Sequence, residues 1–70
     1  MPRIPRLTPR KVIQILKRHG FLIDHTTGSH FTLYHPKTKH RVTVAYHSKD
    51  IPLGTLASIL KQADIDPRDL

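Results

Sequence analysis

The stretch that decides the fold is residues 21–46, which read FLIDHTTGSHFTLYHPKTKHRVTVAY. Apolar and polar residues alternate along it with a period of two, and turn-forming residues interrupt the alternation at 26–29 and at 36–39. Such alternation is typical of strands that bury one face. The stretch therefore predicts three antiparallel strands joined by two hairpin turns.

The predicted sheet has one apolar and one polar face, because successive side chains of a strand point to opposite sides. The inward set is Phe31, Leu33, Val42 and Val44. The outward set is His30, Thr32, Tyr34, Arg41 and Thr43. By the same parity Tyr46 is expected to point inward and pack rather than stack on a ligand.

A helix is predicted on each side of this stretch. The first begins at the N-cap Thr8 with Pro9 in its first turn, and it ends at Gly20. The second begins near Pro52, and its apolar arc consists of Leu53, Leu56, Ala57, Ile59, Leu60 and Ala63. Both helices need an apolar surface, and the inner face of the sheet provides one. The predicted fold class is α+β in the order α-β-β-β-α, with two helices on one face of a three-stranded antiparallel sheet, the layout of the double-stranded-RNA-binding domain.

Length and charge limit the function. Seventy residues make one domain, 1–70, with 1–7 as an extended arm, and the absence of Cys excludes disulfides and thiolate chemistry. The net charge is +7, and Asp24 is the only acidic residue before residue 50. A basic surface of this kind is typical of proteins that bind polyanions such as RNA, although it also serves solubility. No apolar run follows the charged N-terminus, so we expect no signal peptide, no membrane contact and a cytoplasmic location.

The six histidines are the candidates for chemistry. Four of them recur every five residues, at His25, His30, His35 and His40, but an odd spacing alternates the faces of a strand. We therefore predict no metal site and no cofactor. His19 lies on the apolar side of the first helix and is expected to be a partly buried core residue.

His30 is the strongest candidate because it follows a Gly-Ser turn on the polar face, where Thr32, Tyr34 and Arg41 are expected around it. An imidazole exchanges protons near neutral pH, so it can take the proton of an RNA 2′-hydroxyl that then attacks the adjacent phosphate. From the residues alone, a surface histidine that only hydrogen-bonds or stacks on a base is at least as good an interpretation.

The sequence resembles a known protein family. The segment Gly28-Ser29-His30-Phe31, with Gly20-Phe21 before it and residues 53–63 (LGTLASILKQA) after it, looks like the HicA toxins, also called YcfA-like proteins. The resemblance covers the chain from about Leu7 to Asp66. It implies a toxin of a type II toxin–antitoxin system that cleaves mRNA. The catalytic histidine of the family matches His30, and Gly28 and Ser29 match residues that shape its loop.

The resemblance also implies a partner, a HicB-type antitoxin that covers the active site and contacts operator DNA, so that the toxin meets DNA only indirectly. We predict that RNA is bound by the basic side chains Lys37, Lys39, Arg41 and Lys49. In-line cleavage also benefits from a group that protonates the leaving oxygen, and Lys49, His47 and Arg41 are the candidates. Two rival functions remain: a non-catalytic double-stranded-RNA-binding module, and an adaptor whose cationic surface binds an acidic protein.

Overall fold

The structure is a computed structural model that describes residues 6–47 and 49–70. In chain order its elements are α1 (Pro9–Arg18), β1 (Leu22–Thr27), β2 (His30–Tyr34), β3 (Arg41–Ala45), α2 (Leu53–Ala63) and a final 3₁₀ turn (Pro67–Asp69). The strands form one antiparallel sheet in the order β1-β2-β3, so β2 is central. The predicted α-β-β-β-α layout is confirmed. Within the described ranges, no helix is long and apolar enough to cross a bilayer.

The start of α1 is set by its local sequence and by one long-range bond. The side chain of Thr8 caps the helix by accepting a hydrogen bond from the backbone N–H of Lys11 at 3.3 Å. Pro9 lies in the first turn, where its missing N–H costs no helical bond. Just before the cap, the carbonyl oxygen of Leu7 accepts a hydrogen bond from the N–H of Ile51 at 2.8 Å. This bond holds the beginning of α1 beside the segment that leads into α2. The predicted arm lies outside the described residues except at positions 6 and 7.

The end of α1 is a Schellman closure, as the sequence predicts. Gly20 has a positive φ of 95°. The N–H of Phe21 donates to the carbonyl oxygen of Leu16 at 3.0 Å, and the N–H of Gly20 donates to that of Lys17 at 3.1 Å. These are the two bonds that define the motif. They turn the chain directly from α1 into β1.

The core lies between the two helices and the inner face of β2 and β3. Leu33, Val42 and Val44 are fully buried there, which confirms the predicted parity of the strands, and Phe31 packs at the margin. The buried core cluster consists of Val12, Ile13, Leu16, Phe21, Leu33, Val42, Val44, Ile51, Leu56, Ile59, Leu60, Ala63 and Ile65. Fourteen buried hydrophobic residues and no buried polar or charged residue occur in the described part of the chain. Apolar packing therefore stabilises the domain.

The first hairpin differs from the sequence expectation. Thr26 and Thr27 do not belong to the turn but extend β1, where they pair with Phe31 and His30. Threonine is a good strand former, and pairing satisfies its backbone groups. The turn therefore contracts to two residues. All of β1 is exposed, including Ile23 at 40%, because this strand lies at the edge of the sheet beyond the helices.

The apolar arc of α2 is narrower than predicted. Leu56, Ile59, Leu60 and Ala63 are buried, but Leu53 is 45% exposed and Ala57 is exposed as well. The reason is geometric: α2 packs mainly on β3, the last strand of a three-stranded sheet, which covers only part of the helix surface.

His35 connects the β2–β3 turn to α1. Its Nε2 donates to the carbonyl oxygen of His19 at 3.0 Å, and its Nδ1 accepts hydrogen bonds from the N–H groups of Lys37 at 3.1 Å and Thr38 at 3.2 Å. The ring also packs edge-on against Phe21, with 5.1 Å between ring centroids. Because Nδ1 accepts two hydrogen bonds, the imidazole carries its proton on Nε2. His35 is thus a structural residue, and His19 is partly buried as expected.

We expect Gly20→Ala to lower the free energy of unfolding by about 2 kcal/mol, since a non-glycine residue disfavours positive φ and the hydrogen bond of His35 is disturbed as well. An added Cβ would lie 2.7 Å from Nε2 of His35 and push the ring away from His19. Urea denaturation measures the change. Gly54→Ala is the matched control: apart from its chain neighbours and the backbone of its own helix, no described atom lies within 4 Å of a Cβ added there, so the helix gains up to about 1 kcal/mol. Unchanged stability of Gly20→Ala would contradict the role of this contact.

Candidate active site

His30 occupies a position that the sheet fixes from both sides. It is the first residue of the central strand β2, and it pairs with Thr27 of β1 and with Ala45 of β3. Its side chain is exposed, on the face of the sheet opposite to the buried Leu33. The predicted catalytic residue therefore stands on a rigid element with its imidazole open to solvent.

The turn before His30 is formed by Gly28 and Ser29. Gly28 has a φ of 56°, the positive value that a two-residue hairpin turn of type II′ requires at this position. Apart from the two chain neighbours, no described atom lies within 4 Å of a Cβ added there, so the backbone conformation, and not lack of space, calls for glycine. Ser29 contributes its backbone: its carbonyl oxygen accepts a hydrogen bond from the N–H of Tyr46 at 2.6 Å. Both predicted loop residues thus position the start of β2.

A groove of about 370 Å³ opens beside His30, between the polar face of β3 and the start of α2. Its lining consists of His30, Thr43, Ala45, His47, Ile51, Pro52, Thr55 and Ile59. Among the described residues, the polar side chains in this lining are two imidazoles and two threonine hydroxyls, and the other described lining residues are apolar. A concave surface with a few converging polar groups is the usual form of a binding site. We call it the His30 groove.

The register of the sheet brings His47 to His30. Ala45 lies directly opposite His30, and the bond from the N–H of Tyr46 to Ser29 continues the pairing one residue past the end of β3. His47 is two residues beyond Ala45, so it is the diagonal neighbour of His30. In antiparallel sheets such neighbours are about 7–8 Å apart and within reach of long side chains. Both imidazoles line the His30 groove.

A second cavity, of about 440 Å³, adjoins the first at His47 and is lined by Thr8, Arg10, Tyr46 and His47. Tyr46 packs against Phe31, with 4.9 Å between the ring centroids and 37° between the planes. This contact agrees with the packing expected from its parity. Tyr46 is also 38% exposed, and it lines the second cavity.

Arg41 lies at the other end of the sheet from His30. It pairs with Tyr34, four residues along β2, which is about 13 Å away at the usual rise of a strand. Its guanidinium donates to Asp24 at 2.9 Å and lies over the ring of Tyr34, 4.8 Å from the centroid. The expectation that Tyr34 and Arg41 surround His30 is therefore wrong, because strand pairing separates them by the length of β2.

The charge of Arg41 is balanced locally. Hydrogen bonds from His25 and from Arg41 hold the pKa of Asp24 below its ordinary value of 3.8. The carboxylate contacts both partners, at 2.8 Å and 2.9 Å. Since the pKa is lowered, the carboxylate is ionised at every pH above that ordinary value, and the ion pair is lost only as the pH falls through the lowered pKa.

The other predicted RNA-binding residues are divided between the two ends of the sheet. Lys37 and Lys39 lie in the β2–β3 turn, at the same end as Arg41, and Nζ of Lys39 is 5.9 Å from the centroid of Tyr34. We call Lys37, Lys39 and Arg41 the far-end cluster. Lys49 lies in the β3–α2 loop, close in sequence to His47, and is exposed without lining the groove. None of these four cations lines the His30 groove, so the contact of each with RNA stays a prediction.

Three of the four histidines with five-residue spacing have separate surroundings. His25 contacts Asp24 on β1, His35 binds the end of α1, and His30 lines the groove. Among residues 6–47 and 49–70, no group of three or more side chains could hold a metal ion. The regular spacing therefore does not gather these side chains at one place.

Three residues that line the two cavities are not predicted as site residues from the sequence: Arg10, Thr43 and Thr55. The outward parity of Thr43 offers a weak signal. Arg10 and Thr55 offer none, because they reach the site only when the segments before α1 and α2 come together through the bond between Leu7 and Ile51.

Comparison with known proteins identifies the family. The model of the family described as "HicA toxin of bacterial toxin-antitoxin" matches residues 9–65, from the first residue of α1 to just beyond α2. No curated protein matches the chain significantly. The matched range includes the turn at Gly28 and Ser29, His30, and the groove beside it. Because this range is well over half of the 70 residues, the chain belongs to the HicA family of toxins from bacterial toxin–antitoxin systems.

Proposed function

We propose that this toxin is an endoribonuclease that cleaves mRNA with His30 as general base and is neutralised by a HicB-type antitoxin. The observation that carries the proposal is the placement of His30: an exposed imidazole at the start of a central strand, beside a groove of about 370 Å³ with a second imidazole in its lining. An mRNA substrate places this activity in the cytoplasm.

The chemistry needs little from so small a protein because RNA carries its own nucleophile. His30 takes the proton of a 2′-hydroxyl, the 2′-oxygen forms a bond to the adjacent phosphorus, and the bond from phosphorus to the 5′-oxygen breaks. The products are a 2′,3′-cyclic phosphate and a 5′-hydroxyl. A metal-bound water is not required as nucleophile in this route, and DNA cannot follow it because it lacks the 2′-hydroxyl.

Cationic side chains outside the groove bind the RNA and stabilise the negative charge on the phosphate. Arg10 lines the cavity that adjoins the groove at His47, so its guanidinium can balance the charge that develops on the phosphate. The far-end cluster lies about 13 Å from His30 along β2, a distance that suits a phosphate further along the same RNA strand. Lys49 stands near the groove in the loop after β3.

We expect His30→Ala to lower the rate of RNA cleavage by about 10²–10⁴-fold, the usual contribution of a general base. The measurement is cleavage of a single-stranded RNA in excess EDTA, with the products analysed for cyclic phosphate ends. A DNA of the same sequence stays intact. His25→Ala is the matched control, because this histidine is also exposed but contacts Asp24 on β1.

Two results would overturn the proposal. Equal cleavage by the wild type and His30→Ala would show that His30 takes no part in the reaction. Complete loss of wild-type cleavage in EDTA alone would show that the reaction requires a metal ion. RNA binding with a steep salt dependence but no cleavage would instead establish the rival function, a non-catalytic double-stranded-RNA-binding module.

We expect Asp24→Asn to tighten RNA binding, because it frees the charge of Arg41 for a phosphate. One added phosphate contact steepens the slope of log K against log salt by about 0.7–0.9. Fluorescence anisotropy with a labelled RNA measures this, in a His30→Ala background that prevents cleavage.

Asp66→Asn is the matched control for this measurement. Its carboxylate forms an equivalent exposed ion pair with Arg68 at 2.9 Å, after the end of α2. Both substitutions add the same charge, so an equal effect of the two would show a general attraction and contradict a specific role of the far-end cluster.

The antitoxin is proposed to cover the His30 groove. Two exposed apolar side chains flank this region: Tyr46 at 38% and Leu53, next to the groove residue Pro52, at 45%. Such side chains beside a concave site provide the contact area that a protein partner needs. Operator DNA is then reached only through the antitoxin.

We expect Leu53→Glu to weaken the complex with the antitoxin encoded by the adjacent reading frame by at least about tenfold, since a charge would be buried in an apolar contact. Titration of the RNA cleavage activity with the antitoxin measures this. Leu22→Glu is the control, because Leu22 is 61% exposed on the edge strand β1. If Leu22→Glu weakens inhibition and Leu53→Glu does not, then the antitoxin binds at the β1 edge of the sheet and not at the His30 groove.

A further inference from the structure

We propose that His47 is the second proton-transfer group of this site and donates the proton that the leaving 5′-oxygen requires. The inference rests on the proposed function and deepens it. In this site two histidines act on opposite sides of one phosphate, His30 as the general base and His47 as the general acid.

The reaction itself calls for a second group. In an in-line displacement the attacking 2′-oxygen and the leaving 5′-oxygen lie on opposite sides of phosphorus, so one side chain cannot serve both at once. An alkoxide is a poor leaving group unless it gains a proton as the bond to phosphorus breaks. The proton from the 2′-hydroxyl passes to His30, the proton of the His47 imidazolium passes to the 5′-oxygen, and both histidines then exchange protons with water.

The geometry selects His47. Its backbone is the diagonal neighbour of His30 across the β2–β3 pairing, because Ala45 faces His30 and the bond between Tyr46 and Ser29 extends the pairing. Both side chains line the same groove. A separation of about 7–8 Å between such positions leaves room for a phosphate between the two imidazoles.

The other two candidates from the sequence do not fit this role. Arg41 lies at the far end of the sheet, where it donates to Asp24, and a guanidinium does not release its proton in proteins. Lys49 does not line the groove. The threonine hydroxyls at 43 and 55 are much weaker acids than an imidazolium and can serve only as hydrogen-bond partners.

The surroundings of His47 also suit a leaving nucleoside. His47 lines both the His30 groove and the cavity of about 440 Å³ on its other side. This second cavity offers the exposed part of Tyr46 for a base and Arg10 for the next phosphate. An RNA chain that runs from the His30 groove into the second cavity brings a phosphate next to His47.

The test compares two RNA substrates that differ in the leaving atom. The cleavage site of the wild type is mapped first, and the same RNA is then made with sulfur in place of the 5′-oxygen at that bond. A thiolate leaves without protonation. We expect His47→Ala to lower cleavage of the oxygen substrate by about 10²–10³-fold, but to cleave the sulfur substrate within a few-fold of the wild-type rate.

Three variants complete the experiment. His30→Ala is expected to be slow on both substrates, because the base is needed whichever atom leaves. Lys49→Ala is expected to affect both substrates alike, as a residue that only binds RNA would. His47→Gln keeps a polar side chain of similar length and is expected to behave as His47→Ala. Cleavage of the sulfur substrate by both variants at nearly the wild-type rate excludes a loss through misfolding.

The outcomes separate this inference from the proposed function. If both His47 variants are slowed equally on the two substrates, or are as fast as the wild type on both, then His47 is not the acid and the inference is overturned. If the wild type cleaves neither RNA, then the proposed function fails, and the inference fails with it.

Discussion

The pairing of β2 with β3 is the constraint on which the rest of the structure depends. It places Leu33 opposite Val42 and Phe31 opposite Val44, so the apolar side chains meet on the face that the helices cover. The same pairing places Ala45 opposite His30 on the other face. A shift by one residue would exchange the two faces and destroy the core and the site together. The register of β2 and β3 therefore determines both the stability of the core and the geometry of the site.

The small size of the domain explains why the site is open and why its cations are dispersed. Three strands give the helices only a narrow surface, so β1 and the polar face of the sheet stay exposed. The far-end cluster, with Arg41 paired to Asp24, and His30 then lie at opposite ends of β2. A long, flexible polyanion can contact both ends at once, whereas a small substrate cannot. This arrangement agrees with an RNA substrate.

Local signals in the sequence predict most of the fold. The cap at Thr8, the closure at Gly20 and the alternation around Leu33 each act within a few residues, and the structure confirms all three. The predictions differ from the structure at the first turn and on α2. Thr27 joins β1 because threonine is a good strand former and pairs with His30, and Leu53 is exposed because β3 is the last strand.

The sequence by itself determined the order of the elements, the face on which His30 lies, and the Gly-Ser turn that positions it, because these depend on residue type and on the period of two along a strand. Only the tertiary structure decided which groups stand near that histidine. It brings His47 and Arg10 to the site and keeps Arg41 away. The reason is that these groups are far apart in the chain. They meet through the pairing of strands and through contacts such as the bond between Leu7 and Ile51, which lie just before the two helices, and no local pattern encodes such an approach.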